Sequence, residues 1–476
     1  MSAVVLEPAV KQLAMLRSGA ISIAELAEEH IRQIERLNPV LNAFVDFDAE
    51  RVRTRAKELE GWTGARGKLH GLPVSVKSSI ATAGYRCEIG SVLCKGDVPC
   101  EDSEVVRRLR REGALILGTT NCPEFLMAYE TANLLHGRTL NPWDLERTPG
   151  GSSGGEAAAI AAGMSAAGLG SDSGGSVRQP AHCTGIASLK PTPGRVPGHG
   201  HLPPCVGPFS TLGAIGPMAR TIADVELMFR TVGGQDTAEA GSAPVALREI
   251  TLEELRAQRI AVFEDDGVAP VTAETRAAVR SAARALREAG LMVEAFKPAE
   301  LELLRKLWWT LFVQCGAMFY EPTIRGRRGQ LSPIFAEFLE ITESRPALTA
   351  AEMLDAWAEL DVLSSRVLRV MEEWPVLLCP VASIPAWRHG EREWMVEGKP
   401  LAYLDAVRHT QWFNVLAAPA AVVPVGRSAE GLPIGVQVAG RPYCDEIVLG
   451  IAAVLDREFG YRPPPIAQGR RGTEMY

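Results

Sequence analysis

Apolar positions near the start of the chain recur at helical spacing. Ser22 followed by Glu25 makes a capping box, Leu26, Ile31 and Ile34 share one face, and Asn38-Pro39 is expected to stop that helix. A second helix is predicted to about Leu59. Leu72 to Ile80 (LPVSVKSSI) reads as a strand that carries Lys77, Ser103 caps a helix ending near Gly113, and Ala114 to Gly118 follows as a strand. This strand–helix–strand order predicts parallel α/β architecture. Asn141 to Gly155 is polar and rich in Pro and Gly, hence a loop; Glu156 to Met164 reads as a helix, Ser165 to Gly168 as a short strand, and Ser171 to Gly175 as a turn. Gly185 to Pro217 is loop-rich. A βαβ-like unit returns from Arg259 to Val293, residues 300–365 are mostly helical, and strands recur at Val376–Leu378, Ala420–Val425 and Gly435–Val438.

No repeat, low-complexity tract or long linker divides the chain, so residues 1–476 are expected to form one α/β domain. Its expected parts are N-terminal helices (1–65), a core (66–230), a variable region that shapes a pocket (245–405) and a return to the core sheet (406–476). The charge balance of −7 over 476 residues is mild, and the basic runs Arg107–Arg111 and Arg325–Arg328 are short enough to be solvated surface, which argues against a nucleic-acid partner. Nine cysteines without a CxxC pair read as free thiols in a reducing compartment. The N-terminus lacks a signal-peptide layout. The longest apolar run, Ala157 to Gly170, is interrupted by glycines and falls short of the ~20 residues a spanning helix needs. A cytoplasmic protein is expected, without a membrane partner.

Two glycine–serine stretches carry the candidate chemistry: GGSSGG (Gly150 to Gly155) and GSDSGGS (Gly170 to Ser176). Glycine clusters of this kind mark either a flexible surface loop or backbone in unusual geometry close to a ligand. Here each is followed at once by ordered apolar sequence, which favours the second. A serine at the end of such a turn can act as nucleophile if a base is near and backbone N–H groups face the developing oxyanion. None of the eight histidines sits in a recognisable catalytic setting.

The motifs LRSGAISIAEL, LNPVLNAFV, GLPVSVK, TTNCPEF, GGSSGGEAAA, GLGSDSGGSVRQPAHCTGIASLKPTPGRVP, LGAIGPMARTIAD, NVLAAPAAVVPVG and GLPIGVQVAG run in this order along nearly the whole chain. In them the sequence resembles the amidase signature family, serine hydrolases with a Ser–cis-Ser–Lys triad. The resemblance implies one large mixed β-sheet sandwiched between helices, and amide hydrolysis through an acyl-enzyme. By position it implies Ser176 as nucleophile, Ser152 as proton relay, Lys77 as buried base and the N–H groups of Ser173, Gly174 and Gly175 as the oxyanion hole. Asp172 and Arg178 would support the nucleophile loop as an ion pair. A lysine base must be neutral to act, and burial in an apolar strand favours that state. Ser78 stands where the family often has Asp, and Ala417 where a glycine is common; both departures bear on the substrate pocket.

Other readings are weaker. GGSSG also fits a nucleophile elbow centred on Ser152, but Pro142, Asp144 and Pro149 do not make the strand that elbow requires. His199 and His201 form an HxH pair in a Gly/Pro-rich loop without a second ligand cluster, so they read as loop histidines, and no metal is implied. Nor is a nucleotide or nicotinamide cofactor implied. The rival function within the same fold is the glutaminase subunit of a tRNA-dependent amidotransferase. Seven of nine tryptophans lie after residue 300, and Trp308, Phe312, Cys315 and Phe319 recur at helical spacing. Such a stripe reads first as core. The concentration of aromatics nonetheless favours a stand-alone hydrolase of apolar or aryl amides, with a small-molecule amide as its partner and homodimerisation left open.

Overall fold

A computed structural model describes residues 3–469. One eleven-stranded mixed sheet dominates. In chain order its strands are β1 (Phe44–Phe47), β2 (Pro73–Lys77), β3 (Leu115–Thr120), β4 (Ala167–Asp172), β5 (Ala187–Lys190), β6 (Ala214–Ala219), β7 (Arg259–Val262), β8 (Met292–Ala295), β9 (Val376–Pro380), β10 (Ala420–Arg427) and β11 (Pro433–Gly440). Their spatial order is β1-β3-β2-β4-β6-β5-β10-β11-β9-β7-β8. Strand β2 runs parallel to both β3 and β4, and β7 runs parallel to β8 and β9, while the middle of the sheet is antiparallel.

Helices cover both faces, so the central strands are buried on both sides and read as nearly continuous apolar runs. Alternation still sorts the side chains. Val74, Val76 and Ile116 face the helices Glu104–Arg111 and Ile222–Val232 through Val105, Leu109, Val225 and Phe229. Leu115 and Leu117 face the opposite layer, where Ile31, Ile34 and Val52 come from the helices Ile23–Leu41 and Ala49–Glu60. By the same period Ser75 and Lys77 point away from Val74 and Val76. They meet the helix Gly154–Ala161, whose Glu156 bonds the Ser75 hydroxyl.

Several sequence expectations need correction. The first amphipathic helix runs three residues past Asn38 to Leu41, with Pro39 in its last turn. The Asn38 side chain accepts from Ala43 N–H and Phe44 N–H and so leads the chain directly into β1. In place of a short strand and a separate turn, Ala167–Asp172 forms one strand, β4. The loop-rich stretch from Gly185 to Pro217 contains β5 and most of β6. Proline argues against a central strand. Pro217 is nevertheless tolerated in β6, because the ladder to β5 covers only Met218 and Ala219 and has ended at that position. The βαβ unit and the strand read between Arg259 and Leu378 are present as β7, β8 and β9. All nine cysteines are free, and among the described residues no helix is long and apolar enough to cross a membrane.

Candidate active site

Three parallel strands, β3, β2 and β4, end side by side, and the chemistry gathers at their C-terminal ends. Lys77 is the last residue of β2, opposite Thr120 of β3, and is fully buried. Its Nζ donates to Ser152 Oγ at 2.7 Å and to Ser171 Oγ at 3.1 Å. Burial lowers its pKa to about 8, against a smaller opposing pull from Cys122, Asp172 and Glu156. Beneath it Glu156 accepts from the Ser75 hydroxyl and from Thr120 Oγ1 at 2.7 Å, and burial raises its carboxyl to about 7.

The two glycine–serine segments are close-packed backbone rather than flexible loop. The Gly151–Ser152 peptide is cis. Ser153 N–H donates to Ser176 C=O at 3.1 Å, and Ser171 N–H donates to Ser153 Oγ at 3.3 Å, so the two segments are tied directly to each other. In the nucleophile loop every carbonyl is engaged. Ser173 C=O accepts from Trp308 Nε1, Gly174 C=O from the hydroxyls of Tyr129 and Thr410, and Gly175 C=O from Gln179 N–H. Gly175 N–H donates to Asp172 Oδ1 at 2.8 Å. Among the described residues the amides of Ser173 and Gly174 have no hydrogen-bond partner, while that of Gly175 is engaged by Asp172.

Asp172 and Arg178 form a two-point ion pair at 2.9 and 3.0 Å, with both side chains fully buried. Arg178 also donates to Thr410 C=O, Asn414 Oδ1 and Gln437 Oε1. Burial would raise the Asp172 carboxyl, yet Arg178 and Asn414 hold it well below the usual carboxylate range. A buried pair with all its hydrogen-bonding groups met is a rigid anchor. It fixes the loop between β4 and the helix Arg178–Thr184.

Ser176 borders two adjoining cavities, the two arms of the site. The first is lined by Ser152, Ser171, Ser173, His201, Phe209 and Phe319, among others. The second is lined by Gly174, Trp308, Phe312, Ile334, Phe338 and Ile341, among others. Leu126, Met127, Phe312 and Ser176 border both. Phe125 and Leu126 have φ of 49° and 67°, left-handed values that cost bulky residues roughly 1–3 kcal/mol each and need enforcement. Glu124 supplies it by accepting from Ser91 Oγ and Ser332 N–H, and Tyr320 by donating to Phe125 C=O.

Sequence reasoning missed two contributors to the site and read a third first as core. His201 lines the first arm, with Nδ1 bonded to Pro203 C=O and Nε2 beside Ser79 Oγ at 3.5 Å; burial lowers its pKa to about 4. Its neighbour His199 is exposed and sits by Asp236. The aromatic stripe is only partly core: Trp308, Phe312 and Phe319 line the cavity, whereas Cys315 packs inward on Met353. A π-helical turn at Trp309–Gln314 interrupts the helix there, and such turns are frequent at functional sites. The strained turn at Phe125–Leu126 left no signal in composition.

The tightness of the nucleophile loop can be tested. A Cβ added at Gly174 would lie 2.7 Å from Trp308 Cζ2 and 2.8 Å from Tyr129 Oη, the group that bonds Gly174 C=O. Gly174→Ala is expected to lower kcat by about 10²–10³-fold, as loss of an oxyanion donor does, and stability by about 1–3 kcal/mol. Steady-state kinetics beside thermal melting check this; because alanine keeps the backbone N–H, near-native kcat would show that the added Cβ does not displace the loop.

The amidase family profile matches residues 25–449. An indoleacetamide hydrolase of Bradyrhizobium diazoefficiens is 32% identical over 95% of this chain and 86% of its own length. A subunit of the glutamyl-tRNA(Gln) amidotransferase of Roseiflexus castenholzii is 35% identical over 93% of this chain and 94% of its own. The solved structure of a bacterial aryl acylamidase, 25% identical, superposes with a TM-score of 0.84 over 96% of this chain and 97% of that one. The chain belongs to the amidase signature family, hydrolases that act on carbon–nitrogen amide bonds.

Proposed function

We propose that the chain hydrolyses small carboxylic amides with apolar or aryl substituents, with Ser176 as nucleophile, Ser152 as relay and Lys77 as base. The observation that carries this reading is the 2.7 Å hydrogen bond from the buried Lys77 ammonium to Ser152 Oγ, a residue that lines the same arm as Ser176. Neutral Lys77 draws a proton through Ser152 from Ser176, whose Oγ attacks the amide carbon. The amides of Ser173 and Gly174 receive the oxyanion. The proton returns through Ser152 to the leaving nitrogen, and water then releases the acid. Asp172 and Arg178 hold the loop without touching substrate.

The rival reading, glutamine hydrolysis within an amidotransferase, draws on the 35% identity to a protein of that kind. The lining of the cavity favours the apolar substrate. Free glutamine presents an ammonium and a carboxylate, and each needs a counter-charge when desolvated. Among the described residues no arginine lines either arm, and the carboxylate that does, Glu337, is held by Arg392 at 2.8–3.0 Å. Nine free cysteines support a reducing, cytoplasmic setting. A screen of purified protein over anilides, alkyl amides, amino-acid amides and glutamine tests the proposal. Anilides or longer alkyl amides should exceed glutamine in kcat/KM by at least about 10²-fold, since unmet buried charge costs more than a methylene. Robust glutaminase activity would overturn it.

A further inference from the structure

The nucleophile stands at the junction of two arms, and the relay serine lines only one of them. Ser152 and Ser171 border the arm with His201, and neither borders the arm with Ile341 and Phe338. We infer that the amide is divided accordingly: the leaving amine occupies the His201 arm and the acyl group the Ile341 arm. This rests on the triad reading above and follows from the proton's path.

When Ser176 Oγ bonds to the carbonyl carbon, its proton passes through Ser152 to Lys77. The C–N bond breaks only as that proton returns through Ser152 to the nitrogen, a transfer that requires the nitrogen within hydrogen-bond reach of Ser152 Oγ. The nitrogen therefore lies on the Ser152 side of the carbon, and the acyl substituent points into the other arm. Once the amine departs, the arm it vacates holds the attacking water beside Ser152. That water loses its proton through Ser152 to Lys77 and its oxygen bonds the acyl carbon. The ester bond to Ser176 then breaks as the proton returns to Ser176 Oγ.

The partition has a physical wall. Leu126, Met127 and Phe312 border both arms, Leu126 from a turn whose backbone is left-handed at Phe125 and Leu126. On the acyl side Trp308 and Phe312 stack with centroids 5.1 Å apart and planes 21° apart, giving flat walls that suit an aryl ring or an alkyl chain. Glu337 is the carboxylate on this side, and Arg392 is its partner. On the amine side Phe209 meets Phe312 and Phe319 edge-on at 5.8 and 5.5 Å. Cys205 is the small, partly exposed residue at that end. The substrate class is thus an amide with an apolar acyl group of aryl or medium-chain size, and an amine that fits between aromatic rings.

Two filling substitutions test this against two substrate series. One series keeps aniline and varies the acyl group from acetyl to decanoyl; the other keeps phenylacetyl and varies the amine from ammonia to naphthylamine. Ile341→Trp should cut the long-to-short ratio of kcat/KM in the acyl series at least tenfold and leave the ratios of the amine series in place. Cys205→Phe should do the reverse, cutting the large-to-small amine ratio. Fluorophosphonate labelling of Ser176, followed by mass spectrometry in each variant, reports the triad separately. An adduct on another serine in the native enzyme would sink the triad reading itself. An intact Ser176 adduct with Ile341→Trp acting on the amine series, or with both variants acting on the same series, would overturn the partition alone.

Discussion

Ser176→Ala is expected to abolish amide hydrolysis and fluorophosphonate labelling together, with a loss in kcat of about six orders of magnitude, as when the nucleophile of a serine hydrolase is removed. Ser176 is half-buried at the mouth of both arms, and among the described residues its hydroxyl has no protein hydrogen-bond partner in the resting state. The protein fold should therefore survive its loss. Ser153→Ala is the matched control. Ser153 is buried and its hydroxyl ties the two glycine–serine segments by accepting from Ser171 N–H. Removing it should cost about 0.5–1.5 kcal/mol of stability, the net worth of one hydrogen bond, and leave substantial turnover. Ser152→Ala should retain a labelled Ser176 at a much lower rate, because the relay and not the nucleophile is gone. A covalent adduct on Ser152 in the native enzyme would instead reinstate the nucleophile-elbow reading of GGSSG.

Much of this site could be read from the chain because its parts are local. Lys77 stands out as a lysine in an apolar strand, and the alternation of β2 places it opposite Val76 and beside Ser75. Ser152 and Ser176 lie in short glycine-rich segments whose motif order already implied the family. The ends of the parallel strands bring these segments together, and that too follows from strand–helix alternation. What could not be read depends on long-range contact. His201 enters the first arm through an isolated bridge to Ile80, a pairing no local pattern announces. The cavity walls at Trp308, Phe312 and Phe319 read first as core because a stripe at 3.6-residue spacing looks the same whether it faces core or cavity, and the π-helical turn shifts its register. Strand β6 was hidden by its own Gly216-Pro217 pair, tolerated only where a neighbouring ladder ends.

Lys77→Arg is expected to be nearly as inactive as Lys77→Met, although it keeps the charge. A guanidinium stays protonated at any accessible pH and cannot draw a proton from Ser152. Because the larger Arg has to fit a fully buried site, Lys77→Met serves as the folding control. In the native protein burial lowers the lysine to about 8, so between pH 8 and its ordinary 10.5 the unfolded chain binds the proton that the folded chain rejects. Stability carried by this group therefore rises with pH across that window and is lost on acidification to pH 8. Lys77→Met should flatten that dependence and melt no lower than the native protein at neutral pH. In the native enzyme kcat/KM should climb with pH along a single limb near 8, where the lysine loses its proton, and level off above it. Glu156, raised to about 7, and His201, lowered to about 4, are two other titrating groups at this site, while burial pushes the Cys122 thiol up and Arg178 holds Asp172 down. His182 is buried against Gly435 and Ile384 backbone and is no candidate. The controls separate the two. Glu156→Gln removes a negative neighbour that favours the charged lysine, so the limb should move to lower pH rather than vanish. His201→Asn should leave its midpoint in place. A limb that disappears with Glu156→Gln would make the carboxylate the titrating group, and near-native turnover by Lys77→Arg would remove lysine from the mechanism.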